Sequence, residues 1–418
     1  MFSIEKNILN RLNLLLFLIG LGGAIYVQKF GTFSVAEPLL VGVLIAFLLF
    51  EKLIFRSIVF LLFVTLLWLL GIQLSDWYND IPFENTIKLT GSVVLYFTNI
   101  LAFYFLLRKS PRSSIAYVAG CGISYLLQFY YFPPPLATED FARGFAELEV
   151  LMFTWVALTH YVALMCVASI LWYCGWVRLS VFILLLAAAG SLYLGSRAYF
   201  LIGLISAIAL YLISRIRAAD YLVNTSFFSG VGLLKVGLLI VFVTYVAGLI
   251  YKEAALHGML GEYAYDKYIQ QSGVEGLGVA SGRLGFFESL YAVIRSPLLG
   301  YGSFGLDRED IQIDFAKLMG LPQDPSDLVP CHSHILGAWV WSGVLSVPFW
   351  LLIIFNIFKS IFVAQDFRLL GICIPFSAFL LWHILFSPIG YRVDLSFYVG
   401  LLFVLKDQLK YRVHSFAV

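Results

Sequence analysis

The chain has 418 residues, of which 61% are hydrophobic and only 12% are charged. This composition leaves too few polar side chains for a water-facing surface, so it excludes a soluble protein and predicts an all-α polytopic membrane protein. The formal net charge of +2 comes without a clustered basic face, which excludes nucleic acid as a partner.

Apolar runs long enough to cross a bilayer recur along the chain and predict about twelve transmembrane helices. The first run follows Lys6 and Arg11 without a small-residue cleavage site, so it is interpreted as a retained helix rather than a signal peptide. The predicted spans are residues 12–28, 36–50, 55–74, 89–107, 114–131, 150–173, 177–194, 197–214, 230–250, 335–358, 368–387 and 392–406.

Basic residues concentrate in alternate short loops and at both ends of the chain. The positive-inside rule therefore predicts cytoplasmic termini and places the long polar segment between the ninth and tenth spans outside the cytoplasm. Three regions follow: residues 1–251 with nine helices, residues 252–333 as a large external loop, and residues 334–418 with three helices and a cytoplasmic tail. Shorter external loops at residues 76–88 and 132–149 are interpreted as solvated connectors.

The long loop contains one clear helical pattern. Apolar residues from Ser281 to Arg295 recur at helical spacing, which predicts an amphipathic helix with Ser281 as its N-cap. Pro297 is expected to end it, and Pro330 to precede the helix that returns to the membrane. The loop is therefore predicted to be partly helical.

Polar residues at three helix starts are the candidate site. Arg197 opens a span after Ser196, Arg283 follows the predicted N-cap, and His332 and His334 stand at the start of the tenth span. Amide donors at a helix start together with a guanidinium form a binding site for a phosphate or diphosphate. The positive partial charge of the same helix end favours a neutral imidazole, the form that accepts a proton.

Other roles remain open for each of these residues. An arginine at a membrane helix end also acts as an interfacial anchor, and a single histidine near a membrane boundary is commonly structural. Cys331, the one cysteine outside an apolar run, suggests a nucleophile or a metal site with the two histidines, but the spacing is a weak zinc pattern. No metal and no cofactor are predicted.

These residues resemble the O-antigen polymerase and O-antigen ligase superfamily of bacterial envelope enzymes. The resemblance rests on Ser196-Arg197, on Arg283 ahead of residues 297–302, and on His332-Ser333 followed by nine residues and then Gly343. Ser346 departs from the pattern, since the family usually has Gly, Thr or Tyr there. The layout of about twelve spans with a large periplasmic loop between helices 9 and 10 is also similar.

The resemblance implies a metal-independent, GT-C-like inverting glycosyltransferase of the bacterial inner membrane, with its active site facing the periplasm. Its donor would be an undecaprenyl-diphosphate-linked oligosaccharide whose diphosphate is held by Arg197 and Arg283. His332 would be the general base, with His334 as its rival, and Tyr301 and Phe304 would stack on sugars. A chain-length regulator is a further implied partner.

The resemblance leaves two alternatives for the molecule that accepts the glycan. A polymerase of O-antigen or exopolysaccharide extends a lipid-linked repeat, whereas a ligase joins the glycan to the lipid A core in lipopolysaccharide biosynthesis. The run from His332 to Trp339 favours the polymerase.

A twelve-span transporter of a lipid or sugar is the alternative from another class. Transporters commonly show two similar halves and charges near the bilayer midplane. The sequence shows no clear internal repeat, and its charges gather at one predicted membrane face, which favours the enzyme.

Overall fold

The computed structural model describes residues 2–23, 25–27, 33–50, 56–131, 148–194, 196–219, 242, 245–246, 248–261, 265, 268–269, 284–306, 310–320, 328–329, 331–363, 366–387 and 392–415. Secondary structure in this part of the chain is almost entirely α-helical. The all-α class predicted from composition is thus confirmed.

Fourteen helices have described bounds: α1 (Phe2–Gly23), α2 (Ala36–Phe50), α3 (Arg56–Tyr78), α4 (Phe83–Arg108), α5 (Ser114–Tyr131), α6 (Leu148–Tyr173), α7 (Val177–Tyr193), α8 (Arg197–Ala219), α9 (Leu284–Arg295), α10 (Ile311–Met319), α11 (His334–Ser342), α12 (Val347–Val363), α13 (Phe367–Phe386) and α14 (Arg392–Ser415). Residues 248–256 are helical as well. Two 3-10 turns, Pro111–Ser113 and Val344–Ser346, and two short strands, Tyr26–Val27 and Phe33–Ser34, complete the described elements.

Five of these helical segments are long and apolar enough to cross a membrane, counting only described residues: Ile58–Tyr78, Phe83–Arg108, Val156–Tyr173, Arg197–Arg215 and Phe367–Phe386. Shorter apolar helices lie at Leu9–Gly23, Ala36–Leu49, Val177–Tyr193 and Val344–Phe358. The chain therefore has the helices of a membrane protein, as its composition predicts.

The helices divide into two compact units. The first comprises Met1–Tyr26, Arg112–Gln271 and Ile361–Phe379. Within it α1 packs on α5, and α5 to α8 pack in chain order. Hydroxyl groups join neighbouring helices: Ser180 Oγ donates to Ala168 O at 2.7 Å, and Ser169 Oγ donates to Gly371 O at 2.8 Å. Such bonds hold helices together where a bilayer supplies no hydrophobic driving force.

The second unit comprises Val27–Pro111, Ser272–Ser360 and Leu380–Val418. Here α4 packs against α14, α2 and α3. A buried ion pair joins the starts of α2 and α14, because Arg392 donates from Nε and, at 2.9 Å, from Nη2 to the Glu37 carboxylate. Asn99 Nδ2 on α4 donates to the same carboxylate at 3.2 Å. Full hydrogen bonding is what makes a buried carboxylate tolerable.

The tenth predicted span is not one helix, which corrects the sequence interpretation. Residues 335–358 were predicted as a single span, but α11 ends at Ser342 and α12 begins at Val347. Gly343 lies at the break with φ 67° and ψ −170°, a conformation that is essentially restricted to glycine. An apolar run in the sequence indicates burial in lipid or protein, but it does not indicate whether its residues form one continuous helix.

The loop predicted at residues 76–88 is also shorter than expected. Helix α3 continues to Tyr78 and α4 begins at Phe83. Asp76 belongs to the last turns of α3 and is 5% exposed, so its surroundings are protein rather than water. The other predicted connector falls mostly on residues 132–147, which lie outside the described residues.

Candidate functional site

His332 precedes a helix whose start is held firmly. Ser333 is the N-cap of α11, with its Oγ accepting the Leu336 N–H at 3.2 Å. The same hydroxyl donates to Ile384 O on α13 at 3.0 Å, which ties the start of α11 to a second helix. The backbone beside His332 is thereby fixed from two sides.

The imidazole of His332 lies against the first turn of α9. The backbone N–H of His332 donates to Ser289 Oγ at 3.3 Å, and the Ser289 hydroxyl donates to Gly285 O at 2.6 Å. A Cβ atom at Gly285 would overlap the imidazole ring, so only glycine permits this approach. His332 remains exposed to solvent while its backbone is anchored, an arrangement suited to a proton acceptor.

Sequence reasoning missed Gly285 and Ser289. A weak signal for them was present, because the two small residues are four positions apart and share one face of α9. Such pairs mark places where another segment approaches a helix closely.

The structure distinguishes the two histidines by their surroundings. His334 is fully buried and its ring stacks on Trp350, with centroids 5.2 Å apart and an interplanar angle of 15°. His332 is the exposed one of the two. Solvent therefore reaches His332 without any opening of the helix packing, whereas His334 is closed off by it.

Arg283 lies outside the described residues, two positions before Gly285 in the sequence. The predicted amphipathic helix is confirmed over Leu284–Arg295. Its expected N-cap, Ser281, is outside the described part of the chain.

The segment after α9 fills the break between α11 and α12. We call residues 297–305 the docking turn. The Tyr301 N–H donates to Val340 O at 2.7 Å, and the Val344 N–H donates to Leu298 O at 3.2 Å. Trp339 Nε1 donates to Pro297 O at 2.7 Å. The docking turn therefore satisfies backbone groups that the break in the helix frees.

The end of α3 holds the docking turn from another direction. The Asp76 carboxylate accepts the Ser303 N–H and the Ser303 Oγ–H, both at 2.6 Å. Ser75 Oγ accepts the Gly302 N–H at 3.0 Å, and Asn79 Nδ2 donates to Gly300 O at 3.3 Å. Asp76 is thus an anchor for the docking turn, although its sequence context suggested a solvated connector.

The two predicted sugar-stacking aromatics have different environments. Tyr301 is 4% exposed, belongs to a cluster with Ala292 and Val340, and donates its hydroxyl to Ala292 O at 3.3 Å. This position gives Tyr301 a packing role. Phe304 is half-buried in a left-handed conformation, with φ 69°, and its ring centroid is 5.8 Å from that of Trp341. Of these two aromatic rings, only that of Phe304 has accessible surface on which a sugar could stack.

Cys331 is a poor nucleophile in this setting. Its Sγ lies 3.4 Å from Val329 O, and burial raises the pKa of the thiol well above its ordinary value. The thiolate needed for attack or for metal binding is disfavoured. Cys174, expected to be hidden in an apolar run, is in fact the exposed cysteine, because α6 ends at Tyr173.

Arg197 belongs to the first unit, whereas His332 belongs to the second. Arg197 is the first residue of α8, as predicted, and is half-buried. Its guanidinium carbon lies 4.9 Å from the ring centroid of Tyr251. The prediction that Arg197, Arg283 and His332 share one pocket stays a prediction.

No model of a known protein family matches this chain, and no curated protein matches it significantly.

Proposed function

We propose that this protein is an inverting glycosyltransferase of a bacterial inner membrane, using an undecaprenyl-diphosphate-linked glycan as donor. The observation that carries the proposal is His332: an exposed imidazole whose backbone is fixed by α9 and by the capped start of α11. The proposed membrane has both termini on its cytoplasmic side and residues 252–333 on its periplasmic side. That arrangement places His332 where a lipid-linked glycan is presented.

In the proposed reaction His332 accepts a proton from a hydroxyl of the acceptor sugar. The hydroxyl oxygen forms a bond to the anomeric carbon of the donor as the bond from that carbon to the diphosphate oxygen breaks, with inversion. Arg197 and Arg283 hold the departing diphosphate and stabilise its charge. Because a diphosphate is a good leaving group, positioning and electrostatic stabilisation supply the catalysis.

The preferred acceptor is a second lipid-linked repeat unit, which makes the protein a polymerase of O-antigen or exopolysaccharide. The alternative acceptor is the lipid A core, which makes it a ligase. The experiment is to mix the purified protein in lipid nanodiscs with lipid-linked repeats, with and without lipid A core, and to identify the elongated species.

His332→Ala is expected to reduce transfer by about 10²- to 10⁴-fold, the usual contribution of a general base. Its fold should be unchanged, because the side chain is exposed rather than part of a packed core. Glycan product is measured by gel mobility and mass spectrometry, and unfolding by a thermal scan. Transfer at the wild-type rate in this variant removes His332 from the mechanism.

A transporter is the second candidate, and two observations favour it. The buried Glu37–Arg392 pair and the broken helix at Gly343 are features that transporters also have. Both charges lie at helix starts, however, since Glu37 is in the first turn of α2 and Arg392 opens α14. Uptake of a lipid or sugar into proteoliposomes that depends on an ion gradient, without glycan transfer, would favour the transporter.

A further inference from the structure

Tyr251 combines burial with an unsatisfied hydroxyl. It is 3% exposed, and its hydroxyl oxygen has no hydrogen-bond partner among the residues that the structure describes. Leaving a buried hydroxyl unpaired costs about 1–3 kcal/mol, so this group is expected to have a partner in the working protein. The ring centroid of Tyr268 lies 6.2 Å from that of Tyr251.

Arg197, whose guanidinium lies over this ring, is the second group of the proposed site. Arg197 is half-buried and lies 4.9 Å from the Tyr251 ring centroid, and neither an ion pair nor a hydrogen bond joins its guanidinium to another described residue. A cation–π contact contributes about 0.5–2 kcal/mol and leaves all five N–H donors of an arginine free. A half-buried cation that has no counterion among the described residues favours binding of an anion.

The geometry narrows the chemistry of that anion. The guanidinium lies 4.9 Å from the centroid of the ring that carries the unpaired hydroxyl, and Arg197 is also the first residue of α8, where helix amides have no partner within the helix. A phenol with an ordinary pKa of about 10 keeps its proton at neutral pH and so can only donate to an anion. Several donors around one position fit a phosphate with its multiple acceptor oxygens better than a carboxylate with two.

We propose that Tyr251 is a phosphate-binding residue: its hydroxyl donates to an oxygen of the lipid-linked phosphate group that Arg197 grips. Two sources share this chemistry, an isoprenoid diphosphate and a phospholipid headgroup. The choice of the diphosphate rests on the proposed function. With the diphosphate as ligand, the Tyr251 hydroxyl strengthens binding of the isoprenoid diphosphate relative to the isoprenoid alcohol, which has no phosphate oxygen to accept its hydrogen bond.

Tyr251→Phe tests the hydroxyl alone, because it keeps the ring under Arg197. The probe is undecaprenyl diphosphate without sugar, titrated into nanodiscs that hold the purified protein, with undecaprenol as the uncharged comparison. We expect the Kd for the diphosphate to rise about tenfold in Tyr251→Phe, the size of one charge-assisted hydrogen bond. Tyr245→Phe is the matched control, since Tyr245 is 67% exposed, and its Kd should equal that of the wild type.

The outcomes separate this inference from the proposed function. An unchanged Kd in Tyr251→Phe overturns the role of Tyr251 even if the protein transfers glycan. A tenfold weaker Kd supports that role even if no acceptor is ever elongated. Equal competition by phosphatidylglycerol vesicles assigns the site to a phospholipid headgroup and overturns the diphosphate.

Discussion

At the scale of single residues, the contact between Gly285 and His332 gives the most direct structural test. Gly285→Ala places a methyl group where the imidazole lies and should displace the ring. If His332 is the base, kcat for glycan transfer should fall about tenfold or more, because small misplacements of a catalytic group are costly.

Gly91→Ala is the matched control for this substitution. Gly91 is inside α4, and an added Cβ there meets no atom within 4 Å. The control is expected to be neutral or slightly stabilising, by roughly 0.5–1 kcal/mol, since alanine restricts the unfolded chain more than glycine does. Equal kcat values in the two variants would argue against a role for the position of the imidazole.

Cysteine reactivity provides a second prediction at this scale. Burial raises the pKa of Cys331, so its thiol should stay protonated between about pH 7 and 9, where an ordinary cysteine with pKa about 8.5 becomes a thiolate. N-ethylmaleimide should modify exposed Cys174 readily and modify Cys331 slowly across this pH range. Peptide mass spectrometry after timed labelling measures both rates, and rapid labelling of Cys331 near pH 8 would contradict its buried setting.

At the scale of elements, the link between α3 and the docking turn should be a stability determinant. Asp76→Ala leaves the Ser303 N–H and Oγ–H buried without their acceptor, which should cost about 2 kcal/mol or more. Asp76→Asn should cost less, because an amide can accept from the N–H through Oδ1 and donate to the Ser303 hydroxyl through Nδ2. Unfolding of the purified variants in detergent measures the difference.

Asp314→Ala is the control for the anchoring of the docking turn. Asp314 forms an exposed pair with Arg295 at 3.1 Å, and such surface pairs contribute about 0–1 kcal/mol. A loss at Asp76 no larger than the loss at Asp314 would mean that the docking turn is held by its other contacts.

Sequence reasoning worked best for local patterns. Helix α9 was predictable because its apolar residues recur at helical spacing. The start of α8 at Arg197 was predictable because the hydrophobicity of the sequence changes beside Ser196. The partner of Asp76 was not predictable, because Ser303 is 227 positions away and nothing near Asp76 points to it. The break at Gly343 was hidden for a related reason, since the groups that satisfy it come from the docking turn.

The candidate site was predicted to a similar extent. His332 and His334 were both candidates from sequence, and only the packing on Trp350 separates the buried histidine from the exposed one. Tyr301 was expected to contact sugar because aromatics commonly do, whereas the structure buries it among aliphatic side chains. Exposure depends on distant segments, which a single sequence does not reveal.

At the scale of the whole molecule, several polar contacts within each unit join helix ends that the sequence predicts on the same side of the membrane. Arg112 donates to Asp366 at 2.7 Å, and both belong to loops predicted on the cytoplasmic side. Tyr104 donates to Asp407 at 2.9 Å, again between helix ends predicted there. Glu37 with Arg392, and Asp76 with Ser303, join ends predicted on the external side. These pairings are those expected if the helices alternate as the basic residues indicate.

Membrane orientation can be tested with one native and one introduced thiol. A membrane-impermeant maleimide should label Tyr78→Cys in intact cells, because Tyr78 is 65% exposed at a helix end predicted to be external. Cys174, exposed at the end of α6, should be labelled only after permeabilisation. Labelling of Cys174 in intact cells with protection of position 78 would reverse the proposed orientation.

The long separation between Asp76 and Ser303 also bears on biogenesis. During synthesis α3 is made well before the segment that carries Ser303, so the Asp76 carboxylate emerges from the ribosome long before its donors exist. The break at Gly343 likewise depends on the docking turn, which is already made when α11 and α12 are translated. Completion of the second unit therefore waits for the docking turn, and a chain arrested before residue 297 would retain an unsatisfied carboxylate at the end of α3.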